Sequence, residues 1–312
     1  MRHFLTRGDG RMWFLFAILT ILAWSGADLF YKKGADPGDP YSHWRTVMMV
    51  GLVMGLHAII YYGIICKEPF SLMNMIRYLP VTSMYILSMT LGYVGLRYID
   101  LSICSPISNS SGAVTALLCF LILGQRMSGV QFAAVVAICI GILGLSIIEK
   151  RKADQERAQA GEVVDKKYSI SAIAILFPIL YCVVDGLGTF GDAFYLNEEN
   201  PIFTEAQANM AYEMTFLLMA IFAMVYLVFV RKQKLFSAGT KSLTGAALLE
   251  TAGQFVYVYA ISTNAIVAAP MISSYSIFSV LWSRIFLKEK LSRGQYAMIL
   301  LVMVGIAILG ME

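Results

Sequence analysis

The stretch Leu180–Asp192 reads LYCVVDGLGTFGD and places two carboxylates, Asp185 and Asp192, at the end of a long apolar run. An ionisable group at bilayer depth is costly and faces a bundle interior or a wet cavity. On a helix Tyr181, Asp185, Gly188 and Asp192 share one face at i, i+4, i+7 and i+11. Asp185 is the deeper acid and the stronger site candidate. Asp192, close to the end of the run, reads as an ordinary interfacial residue. Asp28 lies four residues after Trp24, near the end of the first apolar run. Glu250, Gln254 and Tyr257 recur at i, i+4 and i+7, and Glu213 follows Tyr212. Glu213 and Glu250 are expected to line a cavity or to pair with a buried cation such as Arg284.

A carboxylate beside an aromatic face suits an organic cation, because ring faces attract cations most when desolvated. A carboxyl group in a low-dielectric site also holds its proton more firmly than in water, which makes protons the candidate coupling ion. Signatures of other chemistry are missing: the chain has no H-E-x-x-H, no G-x-S-x-G, no P-loop and no cluster of His with Cys. No enzymatic activity, metal or cofactor is therefore expected. His3, His43 and His57 are scattered and read as surface or packing residues. The five cysteines sit in or beside apolar runs without a C-x-x-C pair and read as small hydrophobes.

These residues must be held by membrane helices. Of 312 residues, 58% are hydrophobic and 14% charged, whereas a soluble domain carries about 25% charged residues. The deficit is concentrated in runs long enough to cross a bilayer. The net charge of +4 belongs to loops and is not a nucleic-acid signal. Ten spans are expected, at about 12–31, 44–66, 77–97, 101–123, 128–148, 169–190, 206–230, 242–262, 264–287 and 294–311. The first lacks a small-residue cleavage site and reads as a spanning helix. Helices are required because each apolar run must satisfy its own backbone in lipid. The expectation is an all-α, multi-pass protein of the cell membrane, acting as a monomer.

The chain divides into two similar halves. The polar linker EKRKADQERAQAGEVVDKK, Glu149–Lys167, separates residues 1–148 from 169–312. Sliding Pro106–Leu145 by 164 positions, without a gap, sets Pro106 on Pro270, Ser110 on Ser274 and Leu123 on Leu287. It also sets Ser128 on Ser292, Gln131 on Gln295 and Gly141 on Gly305. Five helices per half force opposite orientations, giving an inverted repeat around a central cavity. Pro106 and Pro270 each leave a carbonyl unpaired and are candidate hinges. The small polar residues beside them, above all Asn109 and Ser274, are candidate substrate contacts. Gly51 and Gly55 form a G-x-x-x-G that reads as helix packing.

The turn motif is a proline, a leucine seventeen positions on, and, after one further residue, Gln or Glu, Arg or Lys, Met or Leu, and Ser. With the paired halves and Ala23-Trp24-Ser25-Gly26 in the first helix, it resembles the drug/metabolite transporter superfamily in its EamA-type branch. The resemblance covers nearly the whole chain. It implies ten helices around a central cavity, secondary transport of a small metabolite by alternating access, and no ATP. Gln125 departs from the Glu usual in that turn, which Glu289 keeps. The loops on the linker side hold most of the lysines and arginines, which would place both termini outside the cytoplasm. The resemblance implies both termini inside.

Overall fold

The structure, a computed structural model, describes residues 12–34, 41–95, 110–159, 172–197, 201–236, 239–286 and 291–311. Asn109, Pro106, Cys104 and Glu289 lie outside the described residues. The apolar runs are helices: α1 Met12–Gly34, α2 Ser42–His57 continuing as a π-helix Ala58–Ile65, α3 Leu72–Gly95, α4 Ser111–Ile122 and α5 Gly129–Gln159. The second half holds α6 Ala172–Tyr195, α7 Glu205–Val225 continuing as a π-helix Tyr226–Val230, α8 Thr240–Ile272, α9 Tyr275–Phe286 and α10 Arg293–Met311. No strand occurs among the described residues. Of these helices seven are long and apolar enough to cross a membrane, α1, α2, α5, α6, α7, α8 and α10; α4 is a shorter apolar helix.

Two boundaries differ from the sequence expectation. The helix of α5 continues to Gln159, eleven residues into the polar linker. That stretch, EKRKADQERAQ, holds neither Pro nor Gly and is rich in strong helix formers. The spans expected at 242–262 and 264–287 are divided differently. A helical run continues to Ile272 through a break at Asn264, with φ −152 and ψ 69, and a second break falls at Ser273–Ser274. Each break has a local partner. The Gln125 side-chain oxygen accepts the Ile266 N–H at 3.2 Å, capping the renewed helix. The Ser274 hydroxyl donates to the Met271 carbonyl at 2.6 Å. Pro270 is buried between the two breaks and offers no N–H of its own.

The two halves are related by a swap of α1 with α6, α2 with α7, α3 with α8, α4 with α9 and α5 with α10. α1 packs on α8 as α6 packs on α3, and α1 packs on α9 as α6 packs on α4. α2 packs on α8 as α7 packs on α3, while α2–α7 and α5–α10 are contacts between counterparts. The α5–α10 contact is reciprocal. A Cβ on Gly141 would meet Val302 and the Met298 carbonyl, and one on Gly305 would meet Ile138 and the Ala134 carbonyl. Ile138 and Val302, and Ala134 and Met298, are themselves 164 apart. Such an i–j and j–i pattern is what a two-fold relation produces.

Local backbone details repeat as well. Two residues beyond each π-helix comes a lysine with positive φ, Lys67 at 53 and Lys232 at 52. Both α5 and α10 open on a capping box: Ser128 and Gln131 exchange bonds of 3.0 and 3.1 Å, Ser292 and Gln295 bonds of 2.8 and 3.3 Å. The repeated Ser and Gln of the turn thus serve helix starts. Gly51 and Gly55 abut Phe216 and Leu217 of α7, so the G-x-x-x-G joins counterpart helices. α8 is the central element: 72% of its span is buried, against 33–44% for the other spanning helices.

Candidate functional site

Polar groups converge where α1, α3, α4, α6, α8 and α9 meet. Asp28, Asp185 and Glu250 are each partly accessible to solvent, although they sit among these helices. Asp28 accepts a hydrogen bond from the Ser279 hydroxyl at 2.7 Å. Asp185 accepts one from Ser88 at 3.1 Å and is also bonded by Ser111. Glu250 lies within electrostatic reach of Asp28. Aromatic rings wall the same space. Trp24 packs on Tyr257 with ring centroids 5.1 Å apart and meets Tyr275 edge-on at 5.9 Å. Its indole N–H points to the Glu250 carbonyl at 3.4 Å. Tyr275 is within electrostatic reach of Asp28, Glu250 and Asp185, and Tyr212 of Glu250, Asp192 and Asp185.

One end of this chamber is tightly bonded. Asp192 is 1% exposed and accepts hydrogen bonds from the hydroxyls of Tyr78 and, at 2.7 Å, Tyr85. The Tyr85 hydroxyl also meets Tyr257 at 2.8 Å and Thr189 at 3.1 Å. The reading of Asp192 as an interfacial end residue is therefore overturned, because hydroxyl donors from α3 reach it inside the bundle. Among the described residues no Lys or Arg pairs with Asp28, Asp185, Asp192 or Glu250. Arg284, the expected partner, is exposed and points at the Tyr296 hydroxyl 3.4 Å away.

The same register that aligns the later helices carries Asp28 onto Asp192, Phe30 onto Phe194 and Tyr31 onto Tyr195. The two carboxylates are counterparts in the two repeats. Comparison with protein-family profiles matches the description "EamA-like transporter family" over residues 11–147 and again over 173–311. The chain belongs to the EamA-like transporter family. It is a multi-pass membrane protein with the two-repeat architecture of that family. A solved structure described only as "Crystal structure of protein" has the same overall fold. It superposes with a TM-score of 0.69 at 12% identity, over 95% of this chain and 96% of the other. The comparison with curated proteins returns no match.

In this EamA-like transporter the sequence candidates divide into groups. Trp24, Asp28, Asp185, Glu250 and Tyr257 come together in the chamber, as described above. Tyr181 lies one turn before Asp185 and is half-buried. Gln254 is buried on α8, one turn after Glu250. Ser274 is fully buried and bonds the backbone at the α8–α9 break. Glu213 is elsewhere: it is fully buried between α2 and α7, and His57 Nδ1 lies 2.9 and 2.8 Å from its two oxygens. The sequence expectation is a surface or packing role for His57, and for Glu213 a place lining the cavity or a pair with a cation such as Arg284. The structure corrects both, because the pair is formed across 156 residues of sequence. The glycines after Asp185 serve packing: Gly186 abuts Val114 of α4, Gly191 abuts Val81 of α3, and Gly188 faces the Tyr85 ring. Tyr85, Tyr275 and Asp192 were not singled out as site residues. The signal for the last is the register that sets Asp28 on Asp192.

Proposed function

We propose that this EamA-like transporter moves a small organic cation or amine across the membrane by alternating access. The observation that carries the reading is a single polar cluster. Three partly accessible carboxylates, Asp28, Asp185 and Glu250, share it with the rings of Trp24, Tyr257 and Tyr275. Uncompensated acids inside a membrane protein are expensive. A cation bound between them and the rings would offset that cost. An amino acid would use its ammonium group in the same way.

Alternating access is supported by the unequal ends. Asp192 is sealed behind tyrosine hydroxyls, while its counterpart Asp28 remains partly accessible. In an inverted repeat, exchanging the conformations of the halves would seal Asp28 and open Asp192. The test is counterflow in proteoliposomes with radiolabelled 1-methyl-4-phenylpyridinium, a cation that cannot lose its charge, competed by amines and by amino acids. Saturable counterflow that amines inhibit supports the reading. Uptake of anionic or neutral solutes alone would overturn it.

A further inference from the structure

A second polar cluster lies outside the chamber, where α2, α7 and α8 meet. His57 Nδ1 bridges both oxygens of Glu213 at 2.9 and 2.8 Å. Glu213 is 0% exposed and His57 26%. Rings enclose the imidazole: Tyr61 stacks on it at 5.2 Å, and Tyr62 and Phe255 meet it edge-on at 5.6 Å. The Tyr62 hydroxyl lies near Glu213 and Asn209. The Tyr62 hydroxyl and the Asn209 side-chain oxygen are both buried. One is a donor and the other an acceptor, and they lie within bonding reach of each other beside Glu213. Among the described residues the other titratable groups nearby are Tyr61 on the π-helix after α2, Cys66 just beyond it, Glu205 and Tyr212 on α7, and Tyr259 on α8. None of them is a cation.

We propose that the His57–Glu213 pair is the proton-binding site that couples transport, separate from the chamber that holds the organic substrate. The proposal rests on the transporter reading. With neutral imidazole donating to carboxylate, the pair carries one negative charge in a low-dielectric setting. One proton taken from water makes the pair neutral overall and needs no further reactant. His57, the more accessible partner, is the point of entry: Nε2 takes the incoming proton and Nδ1 passes its own to Glu213. The Tyr62–Asn209 couple provides for both forms. A protonated Glu213 has Asn209 one turn away on α7 to accept its O–H. An ionised Glu213 has the Tyr62 hydroxyl near it as a donor. The location suits coupling. α2 and α7 are counterpart helices that touch through Gly51 and Gly55, so movement of one half against the other must slide across this contact.

Two experiments on the full chain separate the pair from the transporter reading. The first needs no substrate. Infrared difference spectra of the reconstituted protein over a pH titration should show a carboxyl band that Glu213→Gln removes and His57→Gln shifts in midpoint. If no band is lost in Glu213→Gln, the proposal is overturned. The second uses 1-methyl-4-phenylpyridinium. In His57→Gln and Glu213→Gln, accumulation driven by a pH gradient should fall at least tenfold, while counterflow without a gradient stays within about threefold of the parent. Full accumulation in both variants would overturn the proposal, as would equal loss of accumulation and counterflow. If the parent carries no organic cation at all, the function reading fails, and the infrared titration still decides whether the pair binds a proton.

Discussion

Asp28 and Asp192 occupy the same position in the two repeats, yet only Asp192 is closed in. It is 1% exposed and held by Tyr78 and Tyr85, whereas Asp28 is partly accessible and takes a side-chain bond from Ser279. The Tyr85 hydroxyl is the node of the sealed end, since it meets Asp192, Tyr257 and Thr189. Removing it in Tyr85→Phe costs about 1–3 kcal/mol of bonding to a charged, buried partner. A loss of that size is enough to repopulate two states that differ by a few kcal/mol. With Ala193→Cys as reporter in a cysteine-free background, thiol labelling should become several-fold faster in Tyr85→Phe. Unchanged labelling would count against Tyr85 as the seal.

Asp185→Asn keeps the shape of the side chain and both serine contacts within reach. Folded yield should stay close to that of the parent, and counterflow of an organic cation should be abolished. Flux equal to the parent at every pH between about 5.5 and 8 would remove Asp185 from substrate binding.

The reciprocal contact of α5 with α10 predicts matched effects of mutation. Gly141→Val and Gly305→Val each push a side chain into the opposite helix, and overpacking of this kind costs about 1–3 kcal/mol. Thermal unfolding in detergent should show similar losses for both. A large loss at one glycine with none at the other would contradict the two-fold relation at this contact.

Gln125 offers the oxygen that caps the helix renewed after Asn264. Gln125→Leu removes that acceptor and should cost about 1–2 kcal/mol, the scale of a lost N-cap. Gln125→Glu keeps an acceptor and restores the residue usual in the family's turn, so stability should be retained. Equal unfolding temperatures for the Leu and Glu variants would show that the cap carries no stability.

The sequence alone determined the helices, the membrane setting and the repeat. Those follow from short-range facts: an apolar run must satisfy its own backbone in lipid, and a Ser followed three residues later by Gln caps the helix it starts. The deep position of Asp185 and the shared face of Glu250 and Tyr257 were legible for the same reason, because helical periodicity fixes which residues of one helix look the same way. What periodicity leaves open is which helix lies opposite. The cage around Asp192 depends on Tyr78 and Tyr85, more than 100 residues earlier, and the pairing of Glu213 depends on His57. Only packing brings those groups within bonding distance. Packing likewise decided that Arg284 stays at the surface and that Asp28 and Asp192, equal in sequence, differ in exposure. That difference in exposure breaks a symmetry that the repeat itself preserves.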